Sequence, residues 1–221
     1  MDFRHSRSSL RESTRARSAP SPAAQGRRSF LAAAVFLAAS GPGVRAAPLA
    51  RRDASWYRAR TLWITRPDAQ EVVRSTYWAE GRFVPEGVRE LEHIFRDVSE
   101  NVLHPISPAL LHLNFAMQAA LSSVLCARPM VLFSGYRTLR TNRRVGGVEH
   151  DTHCRGLADD FIHPGLSFSD NVRLARLFQV GGLGIYPARG SLHKDVAAFR
   201  SWVQEDPRAG VVRAIAPAEA R

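Results

Sequence analysis

The sequence predicts a single α+β domain: a small, mainly antiparallel sheet flanked by helices. Three observations lead there. Two runs rich in β-branched and aromatic residues, 60–65 and 71–78, flank an Arg66-Pro67-Asp68-Ala69 turn, which reads as a β-hairpin. Two stretches with helical apolar spacing follow, and the second half alternates short strand-like runs with loops and one further helix. The 221 residues, 45% apolar and 23% charged, supply a core for one domain and exclude a collagen-like or wholly disordered chain.

The formal charge of +11 is unevenly spread. Residues 1–46 hold Arg4, Arg7, Arg11, Arg15, Arg17, Arg27, Arg28 and Arg45 against Asp2 and Glu12, so about half of the excess sits in a leader. That leader has a basic region through Arg28, an apolar run at 30–39, Gly41-Pro42-Gly43, and small residues suited to cleavage after Ala46. Arg27-Arg28-Ser29-Phe30-Leu31 fits the twin-arginine export pattern. The apolar run is about half of the roughly 20 residues a membrane span requires. The expectation is a twin-arginine signal over 1–46 and a soluble periplasmic protein with no stable membrane insertion after cleavage. An uncleaved anchor or a basic arm is the competing reading.

Residues 47–58, with Pro48 and Arg51-Arg52, read as a linker before a domain at 59–205. After the hairpin, Pro85 opens a helix whose stripe is Val88, Leu91, Ile94 and Phe95. Ser107-Pro108 reads as cap and first residue of a strongly apolar helix reaching about Leu125 and crossing the core. Residues 131–133 form a buried strand that leads into Ser134-Gly135-Tyr136-Arg137 and a polar, basic loop. Residues 158–162 are the next strand, Ser169 caps a third helix ending near Gly181-Gly182, and 184–186 and 191–196 close the sheet. Residues 199–202 pack its end, and the Ala/Arg/Pro-rich stretch 206–221 reads as a flexible tail. Cys126 and Cys154 are the two cysteines; an oxidising compartment permits a disulfide, whereas a buried thiol is the ordinary fate of Cys126.

The residues that carry chemistry are His153, Asp160 and His193, with Asp195 two residues further on. Two imidazoles and one carboxylate suit catalytic zinc, which takes three protein ligands and keeps a position open for water. Gly156 lets the chain turn from the His153 loop into the strand bearing Asp160, and His193 and Asp195 share one face of an extended segment. Spacing alone leaves solvated or packing histidines as the competing reading, and His93, His104, His112 and His163 are read that way.

The ordered motifs are S-G-Y-R (134–137), T-N (141–142), H-x-x-G-x-A-x-D-F (153–161), G-G-L-G-I-Y-P (181–187) and L-H-x-D (192–195). Together they resemble the D-Ala-D-Ala carboxypeptidase-like (hedgehog/VanX-type) zinc peptidases, and more narrowly the MepK/YcbK-like murein endopeptidases. T-Y-W (76–78), G-R-F-V-P-E (81–86) and P-I-S-P-A-L-L (105–111) extend the resemblance over roughly residues 58–203. It implies Zn2+ held by His153, Asp160 and His193 in a cleft on the sheet, and hydrolysis of peptidoglycan stem-peptide amides by zinc-activated water. It also implies that Arg137 binds substrate and stabilises the oxyanion, with Tyr136 and Ser134 beside it either contacting substrate or shaping the strand exit.

Many members of that family place an acid or a histidine two or three residues before the last zinc histidine. Here Ser191 and Gly190 stand there, leaving Asp195 as the candidate base or as an orienter of His193, with Glu149 and His150 as further candidates. Asp159 and Lys194 replace usually apolar residues, with Asp159 expected to point outward, and Val196-Ala197 replaces Thr-Gly. The leading expectation is a monomeric periplasmic zinc metallopeptidase, a murein endopeptidase or carboxypeptidase, with a D-Ala–diaminopimelate link, a diaminopimelate–diaminopimelate link and a carboxy-terminal D-Ala all open as the bond it cuts. A non-catalytic wall-binding module that keeps fold and metal is the alternative. A nucleic-acid partner is not expected, because the basic residues Arg137, Arg140, Arg143 and Arg144 come with no recognition helix or stacking face.

Overall fold

The structure, a computed structural model, describes residues 54–123, 127–205 and 212–214. The expected export signal, most of the 47–58 linker, Leu125, Cys126 and most of the 206–221 tail lie outside the described residues, and with Cys126 the question of a disulfide to Cys154.

A one-turn helix, α1 (Ala54–Tyr57), falls in the segment read as linker, and its Trp56 meets Trp78 edge-to-face. Strands β1 (Arg60–Arg66) and β2 (Glu71–Ala79) form the expected hairpin, and β3 (Arg82–Phe83) pairs with the end of β2. Leu62 and Ile64 alternate inward from β1 and are fully buried. Pro85 occupies the first turn of α2 (Pro85–Ile94), where a missing N–H costs nothing. Helix α3 (Pro108–Ser122) starts after Ser107 as expected, although that side chain makes no capping bond. Its Leu110, Leu111, Leu113 and Met117 are buried, each stabilising the fold by roughly 1.5–3 kcal/mol.

Beyond α3 come β4 (Met130–Ser134), α4 (Leu139–Arg144), β5 (Ala158–Ile162) and α5 (Phe168–Leu177), then β6 (Gly182–Tyr186), β7 (Ser191–Asp195), β8 (Arg200–Gln204) and β9 (Val212–Ala214). Helix α4 occupies part of the stretch read as a loop, with Thr138 Oγ1 accepting from the Thr141 N–H at 3.2 Å. The cap of α5 is Ser167 rather than Ser169: its Oγ accepts from the Asp170 N–H at 3.1 Å.

The sheet corrects the expectation of a small, mainly antiparallel one. Among the described residues it has nine strands in the order β3-β2-β1-β4-β5-β7-β6-β8-β9, and it is mixed. β4 joins β1 in parallel and β8 joins β6 in parallel. The first junction follows from the two helices α2 and α3, since a parallel neighbour requires a crossover of that length. The second follows because β7 runs back along β6, so the chain leaving β7 reaches the starting end of β6 before entering β8.

β5 and β7 lie at the centre, and their antiparallel register sets Asp160 opposite His193 and Asp159 opposite Lys194. With a period of two, Asp160 and His193 share one face while Asp159 and Lys194 share the other. The second face lies under α3, whose Asn114 Nδ2 donates to Asp159 Oδ2 at 2.7 Å. The Lys194 ammonium pairs with Asp159 and sits 3.2 Å from the Phe161 ring centroid. Asp159 therefore does not point outward to solvent: it is fully buried. The two departures from the apolar pattern are one buried ion pair, each residue explaining the other. Among the described residues no helix is long and apolar enough to cross a membrane.

Candidate metal centre

Three elements bring the cluster together. β5 carries Asp160 and β7 carries His193, while His153 sits in a 3₁₀ turn at His153–Arg155. The turn ends on Gly156, whose left-handed φ of 64° redirects the chain into β5. A Cβ at Gly156 would come within 2.3 Å of the Pro105 carbonyl oxygen. Gly156→Ala is therefore expected to cost about 2–4 kcal/mol, from the left-handed backbone and the clash together, and to reduce metal binding by displacing His153. Urea denaturation and a zinc titration measure the two effects; an alanine variant as stable as the parent contradicts this role for Gly156.

One donor atom from each of His153, Asp160 and His193 lies within 4.8 Å of the others. The outer partners fix the tautomers. His153 Nδ1 lies 2.7 Å from the Gly135 carbonyl oxygen, which can only accept, so Nδ1 carries the proton and Nε2 presents a lone pair. His193 Nε2 lies 3.1 Å from Asp195 Oδ2, so this nitrogen donates and Nδ1 faces inward. His153 Nε2 and His193 Nδ1 are 3.0 Å apart, and both reach Asp160 Oδ1, at 3.3 and 3.2 Å. Two nitrogen lone pairs and an anionic oxygen thus converge where only a cation is comfortable. The residues present fit a three-ligand metal.

Charge follows the same geometry. Burial disfavours charge on His193, but hydrogen bonds that its ring donates to Asp160 and Asp195 outweigh it and raise its pKa to about 9. Burial also opposes ionisation of Asp160, yet His153 and His193 hold its carboxyl well below the usual carboxylate range. A proton and a metal ion compete for the same His193 lone pair.

Asp195 is fully buried behind His193, on the side of the ring away from Asp160. Its Oδ1 accepts from the N–H groups of Gly182 at 2.8 Å and Ala197 at 2.9 Å, and its Oδ2 pairs with Arg200 Nη2 at 2.5 Å. Against the cost of burial, these donors and His193 hold its carboxyl below the usual range.

Arg137 Nη2 lies 3.8 Å from Asp160 Oδ2 and 3.9 Å from Asp151 Oδ2, and its buried Nε has no hydrogen-bond partner among the described residues. Tyr136 stacks on His104, with ring centroids 4.3 Å apart. Tyr136, Ser134 and the buried Ser191 line a cavity of about 370 Å³ beside the cluster. A larger cavity of about 460 Å³ opens over the His153, Asp160 and His193 cluster, lined also by Asp151, Tyr186, Arg200 and Trp202. His150 lines this cavity, whereas Glu149 is exposed and lines neither. His93, His104, His112 and His163 lie outside the cluster; His163 is buried on packing contacts, and burial lowers its pKa to about 3.

Sequence reasoning missed Asp151, Tyr186, Arg189, Arg200 and Trp202 as cleft residues. The one available clue was Asp151 two residues before His153, where its Oδ1 accepts from the His153 N–H at 2.9 Å.

The family described as "Peptidoglycan L,D-endopeptidase MepK" matches residues 54–202. The curated peptidoglycan L,D-endopeptidase MepK of Escherichia coli strain K12 is 29% identical over 150 residues, covering 66% of this chain and 81% of that protein. The probable peptidoglycan L,D-endopeptidase MepK of Haemophilus influenzae is 29% identical over 125 residues, covering 54% of this chain and 66% of that one. No solved structure matches.

Proposed function

From the premise that this chain belongs to the MepK family of peptidoglycan L,D-endopeptidases, which matches residues 54–202, we propose that it is a periplasmic, zinc-dependent hydrolase of amide bonds in peptidoglycan peptide cross-links. The observation that carries the reading is the convergence of His153 Nε2, His193 Nδ1 and Asp160 Oδ1, with both outer ring nitrogens already donating. Zinc held there would polarise the scissile carbonyl and bring the pKa of a water towards 7.

The remaining work falls to the chain's own groups. Arg137, whose Nη2 lies 3.8 Å from Asp160 and whose Nε has no partner among the described residues, stabilises the negative charge that develops on the carbonyl oxygen. Asp151 lines the same cavity and, with His150, is a candidate to take the water's proton. Asp195 is walled off behind His193 and acts by orienting it, which supports the second of the two roles its spacing allowed. Asp195→Asn is then expected to lower zinc affinity about 10- to 100-fold while leaving the ligand set intact. Competition against a zinc-binding dye measures this; unchanged zinc affinity contradicts the orienting role.

The twin-arginine leader over 1–46 supports export as part of the same reading. The test offers purified muropeptide dimers joined either by a diaminopimelate–diaminopimelate link or by a D-Ala–diaminopimelate link to the full-length, zinc-loaded protein. Conversion of the first kind to monomers is expected. Intact dimers of both kinds, bound by folded protein, point instead to a wall-binding module, which the absence of an acid at 190 and 191 would then explain.

A further inference from the structure

The two cavities share four lining residues, Arg137, Val145, Asp160 and Arg189, so they meet as one groove beside the metal ligands. Four arginines line that groove, and three lie within 4.0 Å of a described carboxylate. Arg66 holds Asp68 and the Ile94 and Arg96 carbonyls, Arg137 faces Asp151 and Asp160, and Arg200 clamps Asp195. Arg189 differs: it is exposed, its guanidinium lies 5.6 Å over the Tyr186 ring, and it forms no ion pair with a described carboxylate. Its backbone is nonetheless held in place. It ends the 3₁₀ turn Pro187–Arg189, and the next residue, Gly190, takes a left-handed φ of 61° to close the tight connection between β6 and β7. The register Tyr186 to Ser191 and Gly184 to His193 ties that turn to the strand bearing the metal ligand.

An arginine without an ion pair, on a fixed turn over the junction of two cavities, has a planar fork suited to a carboxylate, to which it can donate two parallel N–H···O bonds. The proposed substrate offers one. In an L,D amide joining two diaminopimelyl residues, the scissile nitrogen is attached to a carbon that also bears a free carboxylate. An internal bond of an ordinary peptide carries a neutral amide at that place. We propose that Arg189 is the specificity-determining residue of this site, binding the free α-carboxylate on the leaving-amine side of the scissile bond. The inference rests on the endopeptidase reading above and names the feature of the substrate that the site selects.

Two non-hydrolysable probes test it: a diaminopimelyl–diaminopimelyl stem-peptide dimer with a reduced linkage, its acceptor α-carboxyl either free or converted to the primary amide. Calorimetric titration of the full-length, zinc-loaded protein is expected to show about 10- to 100-fold tighter binding of the free acid. Arg189→Gln is expected to erase that ratio with zinc content unchanged and affinity for the amide within about threefold, and Arg189→Lys to restore part of it. Equal affinity of the parent protein for both probes, no affinity for either, or a ratio that survives in Arg189→Gln overturns the proposal. Cleavage of the corresponding hydrolysable dimers is followed separately. Its absence counts against the endopeptidase reading, while the affinity ratio still decides the role of Arg189.

Discussion

His153→Ala is expected to reduce hydrolysis of cross-linked muropeptides by about 10³-fold or more and to abolish stoichiometric zinc binding. A metal's contribution to stabilising developing charge is several kcal/mol, and each 1.36 kcal/mol is tenfold in rate. The substitution removes one of the three donors and leaves His193 and Asp160 facing each other. It also strips the Gly135 carbonyl of its partner, at a cost of about 1–3 kcal/mol, so the variant should melt a few degrees lower yet stay folded. Circular dichroism, zinc content and a dimer-cleavage assay on the same sample separate loss of fold from loss of metal. A folded variant with more than a tenth of the parent activity contradicts the assignment of His153.

The second large effect concerns stability. Asp159→Ala is expected to cost about 3–5 kcal/mol, because it leaves the Lys194 ammonium buried beneath α3 without its ion-pair partner, beside the Phe161 ring and the Met130 sulfur. Replacing all three partners, as in Asp159→Leu with Lys194→Met and Asn114→Leu, should be near neutral or stabilising by about 1–4 kcal/mol, since neither a charge nor the Asn114 amide that bonds Asp159 then remains buried.

The pH dependence has a definite sign. Burial already lowers the Lys194 pKa, with Asp159 opposing the shift. Without Asp159 the folded state binds fewer protons than the unfolded state as pH rises towards the ordinary lysine range. Stability of Asp159→Ala therefore increases with pH across that window. Urea denaturation at neutral and alkaline pH measures both effects. A cost below about 1 kcal/mol, or stability that falls as pH rises there, contradicts the buried-pair account.

Much of this was legible in the sequence where local chemistry decides structure. The hairpin, the proline-led starts of α2 and α3, and strands β5 and β7 appear close to their expected bounds. Gly156 does bend the chain out of the His153 turn, and the three expected metal-site residues do converge. What stayed hidden depends on contacts distant along the chain. β8 read as packing because Arg200–Gln204 become a strand only by pairing with β6, and α4 was obscured by its run of arginines. The parallel junctions depend on which edge a returning strand meets, and no local pattern encodes that.

The Asp159–Lys194 pair looked like two separate oddities 35 residues apart until the β5–β7 register set them opposite each other. Asp195 shared a face with His193 as expected, but only the backbone donors of Gly182 and Ala197 and the guanidinium of Arg200 show its carboxylate to be fully engaged.

The central claim, that the cluster of His153, Asp160 and His193 is the metal centre that drives cross-link hydrolysis, is tested most directly by returning zinc in measured amounts to the chelated full-length protein. Loss of cross-linked dimers from purified sacculi is then read by muropeptide chromatography. The account predicts that cleavage rises with zinc, saturates at one equivalent per chain, and stays absent in His153→Ala. Undiminished digestion by the chelated protein, or an unchanged profile from folded protein carrying a full equivalent of zinc, would contradict it.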